Sequence, residues 1–165
     1  MSKARDLVLM FVALFLFWVL LNGSIASDVL MVGAMAAAIL SIVFRNGLGF
    51  FSELRLTPRA LFTTVLYFGF FAKELVKANL TVARIVLAPS LPLNPGIVKV
   101  RTRLKSQMGR LMLANSITLT PGTLTVEMQG EWLYIHWVTV DSAEVDAATA
   151  AIVGGFEQYL EVMYG

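Results

Sequence analysis

Hydrophobic residues run unbroken from Leu7 to Leu21, and no charged side chain occurs between Leu7 and Ser27. A spanning helix needs about 17–25 residues, so the pattern predicts a first membrane span over 7–27, with Asn22–Ser27 at its end. A second uncharged run, Val29–Phe44, lies between Asp28 and Arg45. At about 1.5 Å per residue it reaches roughly 24 Å, a short span over 29–44 that local thinning accommodates. Small residues recur along it as Gly33/Ala37 and Ala34/Ala38, which predicts close packing against a neighbouring helix. Lys3, Arg5, the apolar core and Ser24-Ile25-Ala26 also resemble a cleavable signal segment. The second run, following after a single aspartate, favours a hairpin of two spans.

Thr57-Pro58 reads as an N-cap with Pro at the first helical position. Pro89 ends the pattern, which predicts a long helix over 58–88. Its first part, Ala60–Ala72, is uncharged but too short to span. Its second part is amphipathic: Lys73, Lys77 and Arg84 fall within about 40° of one another at 100° per residue. Leu75, Ala78, Val82, Ile85 and Val86 take the opposite face. Such a helix lies on an anionic membrane surface or along neighbouring helices. Lys3 and Arg5 flank the first span, and Arg45, Arg55 and Arg59 follow the second, with only Asp28 between the spans. The positive-inside tendency therefore puts the N-terminus and the 45–59 loop in the cytoplasm. It also predicts that the long helix dips or tilts and returns its end to that side. Prolines 89, 92 and 95 predict a stiff, extended linker over 89–96.

Beyond the linker the period changes to two. Val98, Val100, Thr102 and Leu104 share one face, and Lys99, Arg101 and Arg103 the other, which predicts a half-buried strand. Ser106 is placed to cap a short helix over about 107–116. Thr120-Pro121-Gly122-Thr123 has Pro and Gly at the centre of a type II turn. A hairpin with a two-residue loop at Gly130-Glu131 pairs Met128 with Leu133, Val126 with Ile135 and Leu124 with Trp137, all apolar. Asp141 and Glu144 form a capping-box-like start, and Val145, Ala148, Ile152, Phe156, Tyr159 and Met163 mark one face of a last helix. The expected fold is a membrane α-helical N-terminal part (residues 1–88: two spans plus the long, partly amphipathic helix) with a small α+β (β-α-β-β-α) cytoplasmic C-terminal domain over 97–165.

Composition narrows the function. The chain is 58% hydrophobic and 15% charged, against about 25% charged in an ordinary soluble domain. That excludes a typical soluble enzyme and a disordered chain. With no Cys and His136 as the single His, disulfides, thiolate sites and multi-His metal sites are ruled out, and no cofactor or metal is expected. Charge is segregated. Residues 1–110 hold all 13 basic residues and four acids, whereas 111–165 hold seven acids and no Lys or Arg. The basic stretch Lys99, Arg101, Arg103, Lys105 and Arg110 has no acid near it in sequence, a pattern able to attract anionic lipid or RNA.

No catalytic constellation stands out. His136 points away from the hairpin core beside Tyr134, opposite Thr125, and reads as a surface residue. Ser116, Thr118 and Thr120 lack a nucleophile-elbow context and read as helix-end and turn hydrogen-bonding groups. Glu74 has no cation at i+4 and reads as a solvated helix charge. The two predicted spans hold no ionisable side chain, whereas proton and ion pathways are built from such residues. An anchor or accessory subunit fits that absence better than a transporter.

The run Leu113-Ala114-Asn115-Ser116-Ile117-Thr118-Leu119-Thr120-Pro121-Gly122-Thr123, with Asn94-Pro95-Gly96-Ile97-Val98 before it, resembles the signature of the E subunit of Mrp-type multi-subunit cation/proton antiporters, also called Mnh or Pha. The likeness covers nearly the whole chain. It implies a small non-catalytic accessory or assembly subunit of a complex that exchanges Na⁺ or a related cation for protons, driven by the proton motive force, in the bacterial cytoplasmic membrane. The expected partners are the other antiporter subunits and membrane lipid, not nucleic acid. By the same resemblance Asn115, Thr118, Thr120, Pro121 and Gly122 are docking or assembly candidates. Lys73, Lys77, Arg84, Lys99, Arg101 and Arg103 are candidates for contact with the membrane surface or a partner. The alternative is a stand-alone membrane-anchored module binding anionic lipid or nucleic acid.

Overall fold

The computed structural model describes residues 3–44 and 53–165. Arg45 and most of the expected cytoplasmic loop after the second apolar run lie outside the described residues. The chain forms two compact units, Met1–Leu54 and Arg55–Gly165.

The first unit is a pair of apolar helices, α1 (Lys3–Asn22) and α2 (Ser27–Val43). α1 meets the length and hydropathy of a membrane span over Ala4–Asn22, whereas α2 is a shorter apolar helix. The first expected span, 7–27, is corrected at its end: α1 stops at Asn22, and Gly23 turns with φ +59. A left-handed turn of this kind favours Gly, because any Cβ is crowded there. Along α2, Gly33, Ala37 and Ser41 are buried at i, i+4 and i+8, so the small-residue stripe is a packed seam. The Trp18 indole lies against Gly33, and its Nε1 donates to the Val29 carbonyl at 3.0 Å.

The second unit begins with α3 (Pro58–Leu87). Thr57 caps it, its side chain accepting from the Ala60 N–H, with Pro58 in the first turn. Then follow β1 (Gly96–Arg101), α4 (Gln107–Leu119), β2 (Thr123–Gln129), β3 (Trp132–Trp137), α5 (Val145–Ile152) and α6 (Gly154–Tyr164). The sheet is antiparallel in the order β1-β3-β2. Its inner face presents Val98, Val100, Leu133 and Ile135 to α4, α5 and α6, and the core adds Leu113, Ile117, Val153, Phe156 and Leu160. The long helix is part of this unit: Tyr67 belongs to the core, and Phe70 and Phe71 pack against it.

Four expectations change in detail. The hairpin register holds from the loop to Met128↔Leu133, but a bulge between Thr125 and Glu127 then pairs Thr125, not Val126, with Ile135, and Leu124 with His136. The bulge is fixed from outside the hairpin: Thr125 donates its hydroxyl to the Ala114 carbonyl, and its N–H donates to Thr118 Oγ1. Leu124, Val126 and Met128 are consequently exposed. The single last helix is two, α5 and α6, parted at Val153-Gly154. The Phe70 ring sits where a Cβ on Gly155 would project, so the Gly pair lets α3 approach. Asp141 does not cap α5. Glu144 precedes its first turn without a side-chain cap, and its own N–H donates to Ser142 Oγ. The linker bends rather than extends, with Leu91 at φ +41 and a turn from Ala88 to Leu91.

Replacing Gly33 by Val drives a branched side chain into the Trp18 indole. Overpacking of this kind costs about 1–3 kcal/mol. Thermal unfolding of the detergent-purified chain is expected to fall accordingly, with Ala36→Val, at a less buried position on the same helix, close to wild type.

Candidate functional site

The segment 113–123 forms the end of α4 and the turn into β2. Its sequence alternates between two jobs. Leu113, Ala114, Ser116 and Ile117 are buried on the core side of α4. The polar positions hold the chain end in place. Ser116 donates to the Met112 carbonyl at 2.6 Å and also meets the Tyr67 hydroxyl of α3. Since the Ser116 proton is committed to Met112, Tyr67 is the donor in that second bond. Thr120 donates to the Ser116 carbonyl at 2.8 Å, and Thr123 to the Ile117 carbonyl at 2.7 Å. The Thr123 N–H closes the turn on the Thr120 carbonyl at 3.2 Å, with Gly122 at φ +96. That φ is the one a type II turn demands at its third position. The Val138 N–H then donates to the Gly122 carbonyl at 2.9 Å, tying the turn to the end of β3.

Beside this turn lies a cleft of about 280 Å³. One wall is the C-terminal half of α3, another the turn itself, and the rest comes from Trp137–Asp141 and the α5–α6 corner. On α3 the side chains facing this way include Ala78, Val82 and Ile85. Val86, expected on the same face, is instead exposed. Glu74 is not an isolated helix charge either: it pairs with Lys77 at 3.5 Å, three residues on rather than four.

The cationic candidates are dispersed. Lys73 and Arg84 are exposed on α3. Lys99 lies over the Trp132 ring at 4.1 Å, a cation–π contact. Arg101 pairs with Glu131 at 3.0 Å, and Arg103 with Glu157 at 3.1 Å and Glu161 at 3.4 Å. Arg110 donates to the Leu104 and Gly130 carbonyls. The acids that answer the basic stretch thus come from the far half of the chain. Asn115 is exposed at the surface of α4, and Thr118 Oγ1 accepts from the Thr125 N–H. His136 points outward, opposite Leu124 and Ile97 rather than Thr125.

One residue escaped the sequence reading. Glu157 is 4% exposed and accepts from the Thr102 hydroxyl at 2.5 Å, the Arg103 N–H at 2.7 Å and Arg103 Nε. The signal was present in principle, since Glu157 follows Phe156 on a face that also holds Leu160, but helical period alone does not separate a buried acid from a boundary one. Nearby, burial raises the Tyr164 pKa above its ordinary value, with Tyr67 adding to the shift, so the phenol stays neutral.

One helix long and apolar enough to cross a membrane, a shorter apolar helix and a small α+β unit built on a long helix make up the chain. The chain belongs to the Na⁺/H⁺ ion antiporter subunit family, whose model matches residues 11–163. It is 31% identical over 129 residues to the E subunit of the Na⁺/H⁺ antiporter of Alkalihalophilus pseudofirmus, covering 77% of this chain and 79% of that one. It is also similar to a chain in the structure of the membrane-bound sulfane sulfur reductase, an archaeal respiratory membrane complex. That match has 36% identity and TM-score 0.83, and covers 95% of this chain and 98% of the other. A chain of the Mrp complex from a Dietzia species matches at 28% identity and TM-score 0.43, over 59% of this chain and 93% of its own. The Mrp-type E-subunit resemblance therefore holds, and the partners of this chain are the other subunits of such a complex.

Glu157→Ala leaves the Thr102 hydroxyl and the Arg103 N–H without their acceptor, a loss of about 2–3 kcal/mol. The expected result is a clearly lower Tm in detergent, with Glu161→Ala, at a more exposed partner of the same arginine, changing it little.

Proposed function

We propose that this chain is the non-catalytic accessory and assembly subunit of a multi-subunit antiporter that exchanges Na⁺ or a related monovalent cation for H⁺, driven by the proton motive force. The observation that carries this reading is the use of polar groups in segment 113–123. Ser116, Thr118, Thr120 and Thr123 all commit their oxygens to the chain's own backbone or to Tyr67, which leaves a shaped, rigid turn rather than reactive groups. The uncharged stretches of α1 and α2 add support, because ion pathways through membranes need ionisable side chains. In this role Asn115, Thr118, Thr120, Pro121 and Gly122 present the docking surface. Lys73 and Arg84, exposed and without an ion pair among the described residues, are the candidates that would meet headgroups or a neighbouring subunit. The lipid- or nucleic-acid-binding alternative loses its footing, since Lys99, Arg101 and Arg103 are engaged by Trp132, Glu131 and Glu157.

In the same reading residues 1–88 form the membrane part, 89–96 the linker and 97–165 a cytoplasmic domain. α1 and α2 both cross the bacterial cytoplasmic membrane, and the N-terminus and the domain face the cytoplasm. α3 stays at the cytoplasmic side. Support comes from its packing: the α+β unit packs on α3 at Tyr67, Phe70 and Phe71 and faces it across the cleft at Ala78, Val82 and Ile85, so a crossing α3 would pull that unit's charges into hydrocarbon at several kcal/mol.

Two experiments test the reading. A strain lacking the chain is expected to yield much less intact complex in mild detergent and to lose sodium tolerance. Thr120→Tyr and Pro121→Gly are expected to weaken both several-fold by disturbing the turn, and wild-type recovery and tolerance throughout would sink the assembly role. For topology, Gln129→Cys is a single thiol on the exposed hairpin. An impermeant reagent is expected to label it in inverted vesicles and not in intact cells, and labelling from outside intact cells would refute the cytoplasmic domain.

A further inference from the structure

We propose that the cleft beside the Thr120–Thr123 turn is a receptor for one basic side chain, Arg or Lys, delivered with its aliphatic stem by a neighbouring subunit of the complex. The proposal rests on the assembly reading above and gives it a place and a chemistry.

The cleft asks for two things at once. Its walls are largely apolar, with Ala78, Val82, Ile85, Ile152 and Phe156 among them. Nearly every polar group on those walls is already used. Glu74 holds Lys77, the Thr81 hydroxyl donates to the Lys77 carbonyl at 3.0 Å, and Thr120 and Thr123 hold the turn. Two groups are not. Thr139 Oγ1 is buried with no hydrogen-bond partner, a condition buried hydroxyls rarely tolerate. The Asp141 carboxylate, also lining the cleft, has no ion pair or side-chain hydrogen bond among the described residues. With Glu74 and Lys77 cancelling, the cleft carries one uncompensated negative charge.

A guest that matches must be apolar along its length and cationic at its tip. Arg and Lys are the protein side chains so built: their methylene stems lie along apolar surface while the head seeks a charge. The head would donate to Asp141 as a charge-assisted hydrogen bond. A lipid acyl chain satisfies the walls but leaves the carboxylate unanswered. An acidic side chain meets Asp141 with like charge. Arg is, moreover, a residue on which interface energy concentrates.

The test uses the whole complex. Asp141→Lys inverts the charge at an exposed position, and Ala151→Trp fills the cleft from its exposed edge. Both variants are expected to reach the membrane at wild-type level and to melt normally, yet to recover about tenfold less partner protein. A photo-crosslinking residue at position 78 is expected to join a partner peptide containing Lys or Arg. Changing that basic residue to Glu should restore recovery to the Asp141→Lys variant. Wild-type recovery in both variants would overturn the proposal, as would crosslinks to lipid alone. If those variants behave as wild type while loss of the whole chain dismantles the complex, the cleft falls and the assembly role stands. If loss of the whole chain changes nothing, the assembly role falls with it.

Discussion

The hydroxyl of Tyr67 pointing at Ser116 is the joint on which the second unit depends. Both side chains are 2% exposed. Tyr67 belongs to the long helix, and Ser116 to the segment whose residues carry the family likeness. Because Ser116 gives its own proton to Met112, the pair forms a directed chain from α3 into the backbone of α4. Removing either partner strands a polar group in a dry core at a cost of about 1–3 kcal/mol, whereas an apolar pair of the same shape would hold the helices without fixing their register. Aromatic packing then follows from that register: Phe70 meets Phe156 edge-on and lies against Tyr159, with ring centroids 5.2 Å apart in each pair. The Gly154-Gly155 break in the last helix makes room for Phe70. One hydrogen bond, one ring and one glycine, Gly155, thus tie α3 to the turn that shapes the cleft.

Charge has a parallel role. The chain looks polarised end to end, basic before residue 110 and acidic after it, yet folding brings the two halves together. Arg101 and Arg103 lie beside β3 and α6, where Glu131, Glu157 and Glu161 meet them. The positive charge of β1 and the residues just after it is therefore partly offset within the fold. Each sheet edge is also capped at one point: Thr149 Oγ1 accepts from the Arg101 N–H outside β1, and Thr118 Oγ1 accepts from the Thr125 N–H outside β2.

What could be read in advance followed the strength of local rules. The caps at Thr57 and Ser106, the Pro-Gly turn, the core face of β1 and the two apolar helices are each set by residues close in sequence, and these elements stand where the pattern put them, except that the first apolar helix ends at Asn22. The failures share a cause. Val126 leaves the hairpin register because Thr125 is held by Ala114 and Thr118, a tertiary bond that no two-residue period contains. Asp141 resembles a cap by spacing alone, while the chain enters α5 three residues later. Glu157 looks like any boundary acid in sequence because its partners, Thr102 and Arg103, lie more than fifty residues away. For the site, the segment 113–123 is visible as a motif, but the cleft beside it is not, since its walls come from four separate stretches of chain.

The two faces of α3 constrain how this subunit can meet its complex. At about 1.5 Å per residue a 30-residue helix is roughly 45 Å long, ample to cross a bilayer. One face packs on the α+β unit at Tyr67 and Phe71 and lines the cleft at Ala78, Val82 and Ile85. The other carries Phe62, Val65, Val76, Leu80 and Leu87, all exposed, in helical succession. A helix surrounded by lipid would be apolar on every side. One that served only as the core of a soluble domain would be polar on its outer side. This helix is neither: in the proposed reading its apolar outer stripe, bordered on one side by Lys73, Arg84 and Lys77, would lie where headgroups meet acyl chains, with the α+β unit toward water. That arrangement carries the turn and its cleft on the same rigid helix, so the distance of the cleft from the membrane is set by the unit's own core rather than by a flexible linker. A basic side chain offered by a neighbouring subunit just above the bilayer would meet Asp141 at a fixed height, which is the geometry a docking contact needs if it is to specify one orientation.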